Sequence, residues 1–433
     1  MNQIPKWLQN ISIPTDTPSW LIDYRQQAFD KFIAAGLPNN NQERYKYTDW
    51  SCLNKEFKAN RKQENAELKE LIRKYRETYQ DHYIFIFVNG FYAEEYSDQA
   101  TLPKEVVAES LLTAFKKHES IVKQYWPASP DVTKYPFANL NAAIFTDGLF
   151  LLLPEKCVLK KPIRILSLAS DTQLFSAHLQ NMIVLKKESE VSLVKEYCAL
   201  TDKSYFINVT DHVYVEENAK LEVNKFQQEH VEAIHMAHTF LSQKNNSRVV
   251  YNHFARGGLF SRDDVIVNLE EPGAECLTGG FYRLCRDHQY ADNHVDINHL
   301  APHSHSEMLY KGILDKKSRA VFNGKLLVEK DAQKILAYQA NHNILLSKNA
   351  EVFSKPALEI YADDVKCKHG ATTGQMDEDA LFYMRSRGIH RAEAANILLQ
   401  GFAGEVIQRV TDSTIKSQAT EMVQCHECGT TND

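Results

Sequence analysis

The feature that most limits what this chain can fold into is a run of short alternating segments between residues 149 and 365. Apolar and polar residues alternate there over four to ten residues at a time, and Gly, Asn, Asp, Ser or Lys separates one segment from the next. Such alternation is typical of β-strands, whose successive side chains point to opposite faces. The clearest segments are residues 163–168, 191–194, 206–215, 221–226, 248–254, 264–269, 320–328, 334–338 and 350–353.

The length of this run favours a solenoid over a single β-sandwich. Hardly any amphipathic helix interrupts it, which argues against alternating strands and helices around a parallel sheet. In a solenoid each coil buries its inner face against its neighbours, and strands then recur at similar spacing over a long stretch. We therefore predict a mainly β fold with a central solenoid. The spacing is irregular, so the sandwich remains the alternative.

Helical patterns flank the strand region. Residues 20–32, 60–79 and 113–125 have helical spacing or composition, and a strand at 83–88 ends at an Asn-Gly turn. After Gly374, residues 378–386 and 391–402 are again helical in pattern, and we expect these helices to cap the solenoid. The predicted organisation is a helical N-terminal domain (1–130), a β-helix core domain (131–370) and a helical C-terminal domain (371–433).

Composition excludes several functional classes. The net charge of −6 and the pI near 6.3 disfavour nucleic-acid binding, which calls for a basic excess. Eight cysteines in 433 residues are too few for a disulfide framework. The first residues show no signal-peptide pattern, and the apolar stretches are too short to span a membrane. We expect a cytoplasmic protein with no membrane and no nucleic-acid partner.

Common catalytic motifs are missing from the sequence. It contains no G-x-x-x-x-G-K-[ST] loop, no G-x-G-x-x-G fingerprint, no H-E-x-x-H and no G-x-S-x-G. The chain is therefore not expected to bind ATP through a P-loop or a dinucleotide through that fingerprint, and we expect no nucleotide bound by this chain.

One pair of soft ligands stands out in the sequence. On a strand, Cys367 and His369 would point to the same side, and a thiolate beside an imidazole suits iron or zinc. An iron–sulfur cluster usually needs four ligands, so this pair would be half a site, completed by another chain or by substrate. The structural alternative is a buried cysteine beside a hydrogen-bonded histidine.

Other histidines and cysteines cluster without a standard metal pattern, and we interpret the histidines as polar surface or loop residues. A lone C-x-x-C near the C-terminus is taken as an accessory feature. The histidines are His294, His299, His303 and His305, with a looser group of His230, His235 and His238, and the cysteines are Cys425 and Cys428.

Long stretches of the sequence resemble the SufB/SufD family of iron–sulfur cluster assembly proteins. They are residues 309–314 (LYKGIL), 319–325 (RAVFNGK), 343–347 (NILLS), 355–372 (KPALEIYADDVKCKHGAT) and 381–389 (LFYMRSRGI). The SufD branch is the closer one. Gly370 follows His369 where SufB proteins carry Glu, and residues 137–148 (FANLNAAIFTDG) also resemble that branch. Residues 43–48 (ERYKYT) are similar to the family's N-terminal helical region.

The resemblance implies a right-handed parallel β-helix between helical domains. It also implies a complex with SufB, through the β-helix, and with the ATPase SufC, through the C-terminal helices around Tyr383, Arg385 and Arg387. A transient Fe–S cluster would form at the SufB–SufD interface, with His369 as a ligand from this chain and Cys367 as a second candidate beside it. The chain itself would be a non-catalytic scaffold subunit.

Alternatives to this interpretation remain open at the level of sequence. In the strongest alternative, the chain only stabilises SufB and docks SufC, and Cys367 and His369 are packing residues. A homodimer is the alternative assembly for the isolated chain. A zinc protein built on the histidine cluster, or a carbohydrate enzyme with paired carboxylates, fits the sequence less well.

Overall fold

The computed structural model describes residues 4–424, and its twenty strands form two ten-stranded sheets. Consecutive strands alternate between the sheets and pair in parallel with the strand one coil away. The chain thus winds into a parallel β-solenoid of about eight turns with helices on either side in sequence. The predicted mainly β solenoid is confirmed.

The helices and strands have the following bounds. The helices are α1 (Lys6–Gln9), α2 (Ser19–Ala35), α3 (Ala66–Thr78), α4 (Leu111–Lys117), α5 (Glu119–Tyr125), α6 (Pro136–Ile144), α7 (Glu378–Ser386), α8 (Arg391–Ile407) and α9 (Ser413–Val423). The strands before the solenoid are β1 (Lys58–Ala59), β2 (Tyr83–Val88), β3 (Phe91–Tyr92) and β4 (Val107–Ser110). The solenoid strands are β5 (Leu149–Leu153), β6 (Ile163–Ala169), β7 (Phe175–Leu185), β8 (Glu190–Ala199), β9 (Tyr205–Val215), β10 (Lys220–Gln228), β11 (Ala233–Gln243), β12 (Arg248–Arg256), β13 (Phe260–Leu269), β14 (Glu275–Leu284), β15 (Tyr290–His299), β16 (His305–Leu314), β17 (Arg319–Val328), β18 (Ile335–Leu345), β19 (Glu351–Ile360) and β20 (Val365–Gly374).

Equivalent residues of successive coils pair in register. Lys220 of β10 lies opposite Arg248 of β12, which lies opposite Glu275 of β14, so a coil takes about 30 residues. The inward apolar side chains of both sheets form one continuous core along the lumen. The pattern did not pick out β7, β11, β14, β15 and β16, which also belong to this array. Gly280 faces Tyr310 there and Gly312 faces Tyr282, so glycine makes room for each ring.

Left-handed residues turn the chain at the corners between the sheets. Asn218, Asn246 and Gly273 have φ values of 56°, 50° and 77° at successive corners. The N–H of Asn246 donates to the carbonyl of Pro272 on the next coil at 3.0 Å. Asn and Gly tolerate this backbone region better than other residues. Other corners adopt it at lysine or glutamate, as at Lys156, Glu188 and Lys316.

The two ends of the solenoid differ. At the first end β4 pairs antiparallel with β5, and β3 with β2, so these short strands close both sheets. At the other end, β19 and β20 have no strand on their outer side among residues 4–424.

The C-terminal helices do not cap the solenoid, contrary to expectation. They lie along the side of the sheet of even-numbered strands, where α8 contacts β14 and β16 and α9 contacts β12. Phe254, Phe281 and Leu309 point outward from that sheet and pack against helix residues such as Leu399 and Val406. An apolar outer face on these coils draws the helices to the side and leaves the last coil uncovered.

The N-terminal region covers the outer face of the other sheet. Phe137 of α6 packs with Phe206 and Trp50, and Trp50 reaches Phe260 of β13. Strand β20 runs on to Gly374, past residue 370. The division into domains at residues 130 and 370 stays a prediction. No described helix is long and apolar enough to cross a membrane.

Candidate functional site

The candidate site lies on β20, the last strand of the solenoid. Cys367 pairs in register with Ala337 of β18, and His369 pairs with Gln339. Ala337 and Gln339 are buried and point into the lumen, so Cys367 and His369 lie on the lumen side of the uncovered coil. Residues two apart on a strand are separated by about 6.6 Å along its axis. Thiol and imidazole therefore stand side by side at the open end.

The two side chains have different surroundings. Cys367 is half-buried and packs against the end of the lumen core, and burial raises the pKa of its thiol. His369 is exposed and makes no side-chain hydrogen bond or ion pair with any residue from 4 to 424. The imidazole is therefore available to a ligand that approaches from outside.

Gln339 adds a polar group that sequence analysis missed. Its side chain is 3% exposed, yet neither its amide oxygen nor its nitrogen has a hydrogen-bond partner. Such a group usually carries a cost of about 1–3 kcal/mol unless water or a ligand satisfies it. It lies next to His369 across the β18–β20 pair. Only the three-dimensional register could reveal it, because the two residues are 30 positions apart in sequence.

The pair is not a complete metal site. Within residues 4–424, no three His, Cys, Asp or Glu side chains come together in a way that could hold a metal ion. A cluster bound here would need further ligands from outside this chain.

Exposed apolar side chains surround the open coil. Ile360 and Tyr361, at the end of β19, are 38% and 62% exposed, and Leu336 and Tyr338 project from β18. Strand β19 also contains Pro356, a residue that sheets tolerate mainly in edge strands. The unpaired edges of β19 and β20, each ten residues long and flanked by apolar side chains, thus form a surface that another sheet could cover.

The residues expected to dock SufC lie on or just after α7. Tyr383 is 59% exposed beside Phe382. The guanidinium of Arg387 lies 5.2 Å from the Tyr383 ring and donates to its hydroxyl at 3.2 Å. Arg385 falls in the last turn of the same helix. Leu381 of α7 is buried and Ala380 and Met384 are half-buried, so the other side chains of the helix face outward.

The histidine clusters do not form a site, and their interpretation as surface or loop residues was wrong for most of them. His294 pairs with Asp292 at 2.7 Å, and His299 lies between Ser304 and Ser306 at 2.8 Å from each. His303 occupies a left-handed corner before β16, so it does not share a strand face with His305 as predicted. The buried members are His235, His238, His294 and His299. Cys425 and Cys428 lie outside the described residues.

These observations define a class: a parallel β-solenoid protein whose last coil is open and carries an incomplete set of soft ligands. Comparison with known proteins identifies the family. Residues 167–402 match the model described as SUF system FeS cluster assembly, SufBD core domain, and residues 9–165 match the SufBD protein N-terminal region. The chain belongs to the SufB/SufD family of iron–sulfur cluster assembly proteins.

Three relatives illustrate the match. A SufBD family protein of Synechocystis is 30% identical and covers 94% of this chain and 91% of its own length. The iron–sulfur cluster assembly protein SufD of Escherichia coli is 26% identical, with 91% of this chain and 90% of its own covered. The SufD protein of Bacillus subtilis is 25% identical, with 97% of each chain covered.

Proposed function

We propose that this protein is the SufD-like subunit of a Suf complex in which a nascent Fe–S cluster is built and passed on. The open last coil, with Cys367 and His369 side by side on its lumen side, is the observation that carries the proposal. The cluster is the cargo of the complex and is shared with SufB, and this chain serves as a non-catalytic scaffold in the cytoplasm.

The incomplete ligand set suits such a role. A scaffold must release its cluster, and ligation by four thiolates of one chain would favour retention. An exposed imidazole beside a half-buried thiol can hold one side of a cluster while the partner supplies the remaining ligands. His369 is the proposed ligand, and Cys367 a second one that becomes available once its thiol is deprotonated, since only the thiolate binds metal.

The proposed contact with SufB is formed by β19 and β20. Unpaired strand edges present rows of free backbone N–H and C=O groups that another sheet can complete. Ile360, Tyr361, Leu336 and Tyr338 would be covered by the same contact.

The proposed contact with SufC is formed by α7 and its flank. Tyr383, Arg385 and Arg387 provide an aromatic ring with two cations next to the exposed Phe382. Aromatic and arginine side chains are enriched among the residues that dominate binding energy at interfaces. ATP hydrolysis would be the task of SufC, since this sequence has no phosphate-binding loop.

The proposal is tested with His369→Ala in the complex co-expressed with SufB and SufC. We expect an intact complex by size-exclusion chromatography, with iron and sulfide per complex reduced at least about tenfold. Loss of even an outer partner of a metal ligand typically costs roughly 10–100-fold in metal affinity.

Lys368→Ala is the matched control, because Lys368 is exposed on the opposite face of the same strand. It should retain normal iron and sulfide. If the His369 variant forms an intact complex with a full cluster, the ligand role is wrong and the structural alternative, in which the chain only stabilises SufB and docks SufC, takes its place.

A further inference from the structure

A second candidate site lies away from β20, in a cleft between the N-terminal region and the solenoid corners. Its volume is about 760 Å³, within the range of small-molecule sites. One wall is formed by residues 47–52 and the other by the corners that precede β13, β15, β17 and β19.

The cleft is held open by contacts on both sides of its N-terminal wall. Tyr47 stacks on Phe353 of β19 with ring centroids 4.0 Å apart, and Lys355 forms an ion pair with Glu43. Trp50 packs on Phe260 at the other side. The wall thus spans several coils and cannot collapse onto the corners without breaking these contacts.

Acidic groups in the cleft already have partners. Asp49 accepts hydrogen bonds from the backbone N–H and the hydroxyl of Ser51, both at 2.9 Å. Glu351 pairs with Arg319 at 2.6 Å. Arg319 thus offsets the charge of Glu351, whereas Asp49 keeps its negative charge, so one uncompensated carboxylate faces the two lysines Lys317 and Lys348 that line the cleft.

The other hydrogen-bond donors of the cleft have no partner within the protein and lie on successive corners. Lys317, Lys348, Asn349 and His288 make no side-chain hydrogen bond or ion pair within the described part of the chain. They lie on three successive corners, and neighbouring strands of a sheet are about 4.8 Å apart. The donors therefore form a column along the cleft.

The net charge of the chain is −6, so a column of unpaired cationic and amide donors is a local feature of this cleft. Such donors suit an anionic ligand. Adjacent phosphate groups carry closely spaced negative charges with several acceptor oxygens each, and lysine binds them as a point charge. We propose that this cleft binds a phosphate-bearing anion, with Lys317 and Lys348 as the principal contacts and His288 and Asn349 as further donors. The site is independent of the proposed cluster ligands on β20.

Two sources could supply such phosphate groups: a free phosphate chain or a nucleotide. Isothermal titration calorimetry of the full chain with inorganic pyrophosphate, with ADP and with adenosine distinguishes them. We expect pyrophosphate, ADP or both to bind and adenosine not to bind. If ADP binds more tightly than pyrophosphate, the nucleotide is the source, and the reverse order indicates a free phosphate chain.

The variant that tests the contacts is Lys317→Gln with Lys348→Gln, which should weaken binding of the phosphate compounds at least about tenfold, since each charge-assisted hydrogen bond lost is costly. The control is Lys104→Gln with Lys330→Gln, which removes the same charge from exposed sites outside the cleft. Three results would overturn the proposal: no binding of either phosphate compound, equal binding of adenosine and ADP, or equal loss in the variant and the control.

Discussion

At the scale of single residues, the buried histidines link the stability of the fold to pH. His178 of β7 lies edge-on to Phe206, with ring centroids 5.6 Å apart, and neither of its ring nitrogens has a partner. Burial lowers the pKa of His178 to about 3, and burial lowers the pKa of His212 and of His238 to about 4. These side chains are neutral in the folded protein.

A lowered histidine pKa makes the folded state lose stability as pH falls. In the unfolded chain the imidazole binds a proton near pH 6.5, whereas in the folded chain it does not until far lower pH. Between these two values the unfolded state binds more protons, so the free energy of unfolding decreases from pH 6.5 downward. At pH 5 each such histidine lowers it by about 2 kcal/mol.

His178→Leu should remove one part of this dependence. Because His178 makes no side-chain hydrogen bond, its replacement by a similar apolar group loses little at pH 7 and saves about 2 kcal/mol at pH 5. Urea titrations at both pH values measure the effect, with the exposed His390→Leu as control. A loss of stability between pH 7 and pH 5 equal to that of the native protein would contradict the assignment of His178 as a neutral buried residue.

Buried polar side chains show where prediction from the sequence fails. Alternation predicts which positions face inward but assumes that the inward ones are apolar. In the lumen Lys225 donates to Asp263 at 2.9 Å, and both side chains are buried. From the sequence, a charged side chain such as Lys225 is predicted to lie at the surface. Its partner is 38 positions away on another coil, and only the fold shows that the two meet.

At the scale of secondary-structure elements, Arg164 joins three parts of the chain. Its side chain is fully buried on β6 and donates to Glu196 of β8 at 2.8 Å and to Gln418 of α9 at 3.0 Å. It also donates to the hydroxyl of Tyr75 on α3 at 3.3 Å, and its guanidinium lies 3.6 Å from the ring centroid of Tyr79. The N-terminal helix, the solenoid and the C-terminal helix meet at one guanidinium.

Arg164→Met should loosen α3 and α9 together. The substitution leaves Glu196 without its ion-pair partner in a buried position, and breaking a buried pair in this way costs about 3–5 kcal/mol. Hydrogen exchange followed by mass spectrometry should show faster exchange in both helices.

Arg73→Met is the matched control on α3, because Arg73 pairs with Glu70 and Glu77 on the exposed face of that helix. It should leave exchange in α9 unchanged. Faster exchange in α3 alone in the Arg164 variant would mean that the residue does not connect the two helices.

The position of the C-terminal helices was not predictable from their own sequence. Their bounds follow from helical spacing, and residues 378–386 were predicted as they occur in α7. Their docking surface, however, is set by outward apolar residues of the solenoid, such as Phe254 and Phe281. Strand alternation assigns those residues to a face only when the lumen side is known, so the sequence did not exclude a cap.

At the scale of the whole molecule, the solenoid itself was predictable because every coil repeats the same physical rule. Inward residues pack on the coils above and below, and corner residues such as Asn218 and Asn246 adopt the left-handed conformation. This repeating pattern does not predict at which coil the solenoid ends. The ends depend on elements outside the repeat: β3 and β4 close the first end, and no described element closes β19 and β20.

An open end predicts that the purified chain associates through it. Unpaired edges with exposed apolar flanks favour pairing with another sheet, and in the purified protein a second copy of this chain can take the place of the proposed partner SufB. We expect concentration-dependent association of the native chain by sedimentation velocity. Ile360→Lys with Tyr361→Lys should abolish it, because each copy would bring two positive charges to the contact, and the same variant should no longer bind SufB.

The fold should tolerate this double substitution, since Ile360 and Tyr361 are 38% and 62% exposed at the end of β19. Val158→Lys is the control, because Val158 is 56% exposed next to the first coils. It replaces one exposed apolar side chain by lysine away from β19 and should leave association unchanged. If the Ile360 and Tyr361 variant associates as the native chain does, the contact between copies lies elsewhere, and the proposed pairing of β19 and β20 with SufB loses its support.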